Sequence, residues 1–175
     1  QGLDRDARVV YVGTLSKVLM PSLRVGYLVL PPDLVERFRV LRNAVDISPP
    51  TLVQAALADL IEEGHFARHL RRTRELYREK RDRLVAALKH ELGDRLRVHG
   101  VSAGMHVTVT FEGGRSDRAV ALAAAEQELW TPPLSEFYLG APRQQGLVLG
   151  YGGIPLDGLA AAVRALRRAL DATPR

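Results

Sequence analysis

Apolar positions along this chain come as short runs, as alternations and as helical stripes, and each pattern predicts a different kind of element. Arg8 to Gly13 (RVVYVG) and Val25 to Leu30 (VGYLVL) are β-branched and aromatic runs, which predict buried strands. The 11 residues between them, Thr14 to Arg24, include Pro21 and read as a loop. This spacing leaves open whether a crossover or a broad hairpin joins the two strands. Pro31-Pro32 stops the second strand, and Asp33 is the expected N-cap of a helix from Leu34 to about Asn43 or Val45. Asp46-Ile47-Ser48-Pro49-Pro50 then breaks the chain and reads as a hinge between two subdomains.

A second helix is predicted from Thr51 to about Glu63, interrupted by Gly64. From His65 to Leu92 the apolar positions Phe66, Leu70, Thr73, Tyr77, Leu84, Leu88 and Leu92 mark one buried stripe. A helix of that span is about 40 Å long, and Gly93 is its expected stop. Leu96 to Val101 and Met105 to Phe111 read as strands; the second alternates, with Met105, Val107, Val109 and Phe111 on one face. Asp117 is the expected cap of a helix from Arg118 to Leu129. Pro132-Pro133 opens an irregular stretch to Gln145, followed by a last strand (Gly146 to Tyr151) and a closing helix (Leu156 to Leu170). Interspersed strands and helices make the class α/β or α+β.

Composition narrows the function classes. The chain has 175 residues, 46% of them apolar, and a formal charge of +5. It contains no Cys, which excludes disulfides, thiolate metal sites and thiol catalysis. No run of about 18 apolar residues appears, so no membrane span is expected. With no secretory segment visible, the expectation is a cytoplasmic protein. The chain opens on Gln1 and runs directly into a strand, which reads as a piece of a longer protein.

Candidate chemistry sits in Thr14-Leu15-Ser16-Lys17, directly after the first strand, with Arg24 seven residues on. A neutral lysine amine attacks a carbonyl to form a Schiff base, as pyridoxal phosphate requires. The phosphate of that cofactor needs hydroxyl donors and a bidentate cation, for which Arg is better suited than Lys. Thr14, Ser16 and Arg24 form such a set. A solvated, inert Ser-Lys loop is the other reading, and the residues alone leave both open.

The stretch Val9 to Leu30, VVYVGTLSKVLMPSLRVGYLVL, resembles the lysine region of fold-type-I pyridoxal-phosphate enzymes, the aspartate aminotransferase superfamily. More specifically it is similar to the MocR subfamily of GntR-type bacterial transcription regulators, which join an N-terminal winged helix-turn-helix to an aminotransferase-like domain. Gly64-His65-Phe66, Arg68-His69-Leu70-Arg71-Arg72 and Arg74-Glu75-Leu76-Tyr77 resemble that subfamily's long-helix signature. Ala103-Gly104-Met105-His106 and Gly146-Leu147-Val148-Leu149-Gly150-Tyr151 look like its later strands. The likeness covers nearly the whole chain.

The resemblance implies an α/β fold, the C-terminal part of the fold-type-I transferase: residues 1–47 as the edge of the large cofactor-binding domain and residues 48–175 as the small domain. It implies that Lys17 holds pyridoxal 5'-phosphate as a Schiff base, that Arg24 binds its phosphate, and that Thr14 and, more weakly, Ser16 donate hydroxyls to it. It further implies a homodimer, an amine or amino-acid effector, and DNA binding only through an N-terminal winged helix outside this chain. The alternative it leaves is a fragment of an active pyridoxal-phosphate aminotransferase.

Two departures bear on that alternative. The last strand of these aminotransferases usually carries an arginine that clamps the substrate carboxylate, and Val148 stands at that position; Arg143 is a nearby substitute or a plain surface residue. The family's partners for the pyridine ring precede the lysine, and only 16 residues do so here. The chain alone is therefore not expected to be a competent enzyme or to bind the cofactor well.

The remaining features have bland readings. Residues 62–91 carry nine Lys or Arg and six acidic residues, a net of +3. That helix is a basic patch or, preferably, a solvated face laced with local pairs such as Arg78–Asp82 and Glu79–Arg83. His65 and His69 are spaced for zinc chelation but lack further ligands in a known order. Trp130, Phe137 and Tyr138 flank the Pro-Pro segment as pocket walls or as cover for the core edge.

Overall fold

The structure, a computed structural model, describes residues 4–45, 50–102 and 104–174. The expected hinge at 46–49 and Ala103 lie outside the described residues. The chain divides into two compact units, residues 1–70 and 71–175, with the division inside one long helix. Among the described residues no helix is long and apolar enough to cross a membrane.

In the first unit, β1 (Tyr11–Thr14) and β2 (Gly26–Val29) pair antiparallel, with Tyr11 opposite Val29 and Thr14 opposite Gly26. The open question of the sequence is thereby answered: the connection is a hairpin. The Tyr27 ring lies over Gly13, where an added Cβ would come within 2.3 Å of it. Helix α1 spans Pro32–Val45. It starts earlier than expected, because Pro at a first helical position costs no hydrogen bond. Asp33 is therefore an acidic residue in the first turn, not the cap. Helix α2 (Thr51–Glu62) and the first residues of α3 (His65–Leu92) follow, with Gly64 between them at φ 73°.

The second unit holds the rest of α3, whose buried stripe ends in Leu84, Leu88 and Leu92. Gly93, at φ 50°, ends it. β3 (Arg97–His99), β4 (His106–Phe111) and β5 (Gln145–Gly150) form an antiparallel sheet in that order. Val107, Val109, Phe111, Leu147 and Leu149 face a core completed by Val120 and by Leu159, Val163, Leu166 and Leu170. Those residues lie on α4 (Asp117–Ala125) and α5 (Leu159–Ala172).

Helix α4 differs from expectation at both ends. Ser116 is the N-cap, its Oγ accepting from the Ala119 amide, and Asp117 is the first helical residue. The helix stops at Ala125 because the amides of Gln127 and Leu129 both fold back to the Ala124 carbonyl. Helix α5 starts at Leu159, three residues late, since Pro155 to Gly158 form a turn closed by the Gly158 amide on the Pro155 carbonyl.

The stretch after Pro132 is more ordered than its composition suggests. It contains a short 3-10 helix, Leu134–Phe137, and Pro133 bridges to Leu147. Buried Asp117 ties this segment down by accepting from the Ser135 amide (2.8 Å), the Ser135 hydroxyl (2.7 Å) and the Gly146 amide (3.2 Å). Gly146 has no room for a side chain, since a Cβ would sit 2.2 Å from the Val109 carbonyl oxygen. Past β5, the Tyr151 hydroxyl donates to the Gly104 carbonyl at 2.6 Å, and burial pushes this phenol above its ordinary range. Lys80, buried on α3, donates to the Gly152 carbonyl at 2.8 Å.

Candidate functional site

The expected site residues lie at the end of β1 and on the connection that follows it in the β1–β2 hairpin. Thr14 ends β1, and its Oγ1 accepts from the Ser16 amide at 3.2 Å. The Leu15 amide donates to the Val25 carbonyl at 2.9 Å, which closes the connection at its base and sets residues 14–16 beside residues 24–26. Within it, the Val18 and Leu19 amides both return to the Leu15 carbonyl, so Lys17 rides a tight turn. Pro21–Leu23 form a 3-10 turn, and Arg24 closes it in the left-handed region at φ 49° and ψ 33°.

That backbone conformation costs an arginine about 1–2 kcal/mol relative to a right-handed one. A glycine would avoid the cost, so what Arg24 offers is its side chain. Thr14, Lys17 and Arg24 are exposed and Ser16 is half-buried. Among the described residues no hydrogen bond or ion pair engages the Lys17 ammonium or the Arg24 guanidinium. The hairpin thus presents two uncommitted cations and two hydroxyls on one short connection, a donor set suited to a phosphate and a reactive carbonyl.

One contact was missed by sequence reasoning. His69, in the first turns of α3, places Nε2 2.8 Å from the Val18 carbonyl, next to Lys17. Its spacing to His65 suggested only a chelating pair, whereas His65 instead meets Arg68 and, at 3.1 Å, Glu63. Among the described residues no cluster of three or more potential metal ligands occurs. The sequence carried one usable signal, since His69 falls inside the long-helix signature. His69→Ala should speed hydrogen exchange of the Val18 and Leu19 amides several-fold. Unchanged protection would show that the contact does not hold the loop.

Elsewhere, Val148 pairs opposite Thr108 on the sheet face turned away from the core. Its amide donates to the Pro132 carbonyl, and its carbonyl accepts from Thr131 Oγ1. Arg143 is exposed in the segment before β5. On α3 the Glu79–Arg83 pair forms at 2.6 Å, but Asp82 pairs with its neighbour Arg81 at 2.7 Å in place of the expected Arg78. The Arg81 guanidinium is held over Asp82 by a further bond to the Val101 carbonyl, which explains the switch. Trp130 and Phe137 are exposed, at 85% and 64%.

Residues 1–147 match the family described as aminotransferase class I and II. The chain is 41% identical to the probable rhizopine catabolism regulatory protein MocR of Rhizobium meliloti, over 97% of the chain and 34% of that protein. It is 32% identical to a 2-aminoadipate transaminase of Thermus thermophilus, over 93% of the chain and 41% of that protein. The chain therefore spans about a third to two-fifths of the length of the relatives it matches. Among solved structures, it superposes on the α-aminoadipate aminotransferase LysN of Thermus thermophilus, complexed with N-(5'-phosphopyridoxyl)-L-leucine, with a TM-score of 0.82 at 32% identity; 93% of this chain and 42% of that one are covered. A multiple substrate aminotransferase from Thermococcus profundus shares the fold at a TM-score of 0.85, covering 96% of this chain and 42% of its own.

Proposed function

The chain belongs to the class I and II aminotransferase family, and from that membership we propose that it is the C-terminal portion of a pyridoxal-phosphate-binding sensor domain in a bacterial transcription regulator. The observation that carries this reading is the hairpin connection with Thr14, Ser16, Lys17 and Arg24 together, in a chain 41% identical to a regulator. Residues 1–47 are then the edge of the large domain and 48–175 the small domain. The apolar residues of the hairpin support this division. Val12, Tyr27 and Leu28 are 71%, 47% and 47% exposed, more apolar surface than a free two-stranded ribbon sustains.

The residues fit the cofactor. When bound, pyridoxal phosphate supplies an aldehyde and an electron-withdrawing ring. Lys17 holds the aldehyde covalently through its amine. Arg24 directs a planar fork of donors at the phosphate, and the hydroxyls of Thr14 and Ser16 add neutral donors. The closed base of the hairpin keeps the arginine and the hydroxyls side by side. His69 holds the Val18 carbonyl and so limits where Lys17 can reach.

Regulation is favoured over turnover by Val148. It offers no donor to a substrate carboxylate at the position where the family's aminotransferases usually carry an arginine. An amine or amino-acid effector then shifts a conformational equilibrium that a DNA-binding domain reads. A homodimer is part of the same proposal.

Borohydride reduction of the full-length protein with cofactor, followed by peptide mapping, tests the site. The stable adduct is expected on Lys17, and an adduct elsewhere overturns the assignment. Turnover assays with an amino acid and a keto acid separate the regulator from an aminotransferase. Sustained catalytic exchange would favour the enzyme.

A further inference from the structure

Below the end of β5, the second unit contains a cavity of about 380 Å³. Its floor is Leu84, Leu149, Val163 and Leu166, none more than 7% exposed. Glu128 and Trp130 stand at its rim. All of its lining residues lie between 84 and 166, none on the Lys17 hairpin. The volume falls in the range of small-molecule sites, which combine apolar walls with a few placed polar groups.

The two rim residues are unusual for a structural edge. Glu128 sits at φ 59°, a left-handed conformation that is strained for a non-glycine residue. The helix end there needs only a glycine, so the backbone gives no reason for a glutamate. Its carboxylate has no hydrogen bond or ion pair among the described residues. Trp130 leaves 85% of its surface exposed, so its indole contributes little to the core. An indole face and a free carboxylate above an apolar floor form the donor set for a cation with an apolar body.

We propose that this cavity binds an organic ammonium ion carrying an aromatic or branched apolar group. The apolar body fills the floor between Leu149 and Leu166. The charged nitrogen lies between the Glu128 carboxylate and the Trp130 ring. None of its lining residues belongs to the cofactor hairpin, and the proposal does not depend on the assignment of Lys17.

The test is calorimetric titration of the full-length protein with benzyltrimethylammonium. A quaternary nitrogen cannot condense with an aldehyde, so a cofactor on Lys17 cannot capture this probe. Saturable binding of one probe per chain is expected, at least tenfold tighter than phenylacetate, which has a similar body and the opposite charge. Glu128→Gln should weaken binding roughly fivefold and Trp130→Ala roughly tenfold. Ala162→Phe, which fills the cavity from α5, should abolish binding. Lys17→Ala should leave it unchanged. Equal affinity for the cation and phenylacetate, an unaltered Glu128→Gln titration, or loss of binding in Lys17→Ala would each overturn the proposal. Failure of Lys17 trapping alone would leave it standing.

Discussion

Asp117→Ala should cost the second unit about 2–4 kcal/mol of stability, because it strands buried neutral donors that each cost about 1–3 kcal/mol without a partner. Asp117 is 1% exposed and accepts three hydrogen bonds, two from Ser135 and one from the Gly146 amide. The methyl of alanine accepts none of them. The Gly146 N–H then stays buried without a partner, at about 1–3 kcal/mol, and the segment at Ser135 loses its anchor. Neither strand can shift to compensate, because Gly146 already packs against the Val109 carbonyl with no room for a Cβ. A fall in melting temperature of about 10 °C or more should follow.

Asp117→Asn should lose much less. The Ser135 and Gly146 amides both donate to the same oxygen, Oδ2, so an amide oxygen placed there keeps both bonds. The NH₂ then occupies the Oδ1 position and can donate to the Ser135 hydroxyl, which turns acceptor. Thermal or urea unfolding of the three proteins reads the difference. A loss below about 1 kcal/mol in Asp117→Ala would show that this network does not hold the α4–β5 junction.

The same residue shows where reading the sequence stops. Its role as a helix cap is a local inference, and Ser116, one residue earlier, makes that contact. Its actual partners are 18 and 29 residues away, beyond any periodicity. Where a pattern is local and long, the sequence was sufficient. Stripe spacing gave the bounds of α3 at His65 and Leu92, and alternation gave the buried face of β4. Ends set by competing short-range bonds were misplaced. Pro32 opens α1 ahead of Asp33, and folded-back amides close α4 ahead of Leu129. At the candidate site, residue chemistry and resemblance put forward Thr14, Ser16, Lys17 and Arg24. The hairpin that gathers them, the left-handed Arg24 and the His69 contact needed tertiary structure.

Arg24 allows the backbone and the side chain of the site to be tested separately. Arg24→Gly removes the guanidinium and relieves the left-handed strain at φ 49°. Arg24→Ala removes the guanidinium and keeps the strain. Both should weaken pyridoxal phosphate binding by roughly 30- to 100-fold, the loss of a charge-assisted bidentate contact worth about 2–3 kcal/mol. Their stabilities should differ, with the glycine variant about 1 kcal/mol above the alanine variant. Lys17→Ala should behave differently again. It leaves the phosphate donors intact, so the cofactor still binds reversibly, but reductive trapping disappears. Equilibrium dialysis of the full-length variants reads affinity, and unfolding curves read stability. If Arg24→Gly bound the cofactor as tightly as the wild type, the strained arginine would have no part in holding the phosphate. The left-handed turn would then be a feature of the hairpin alone.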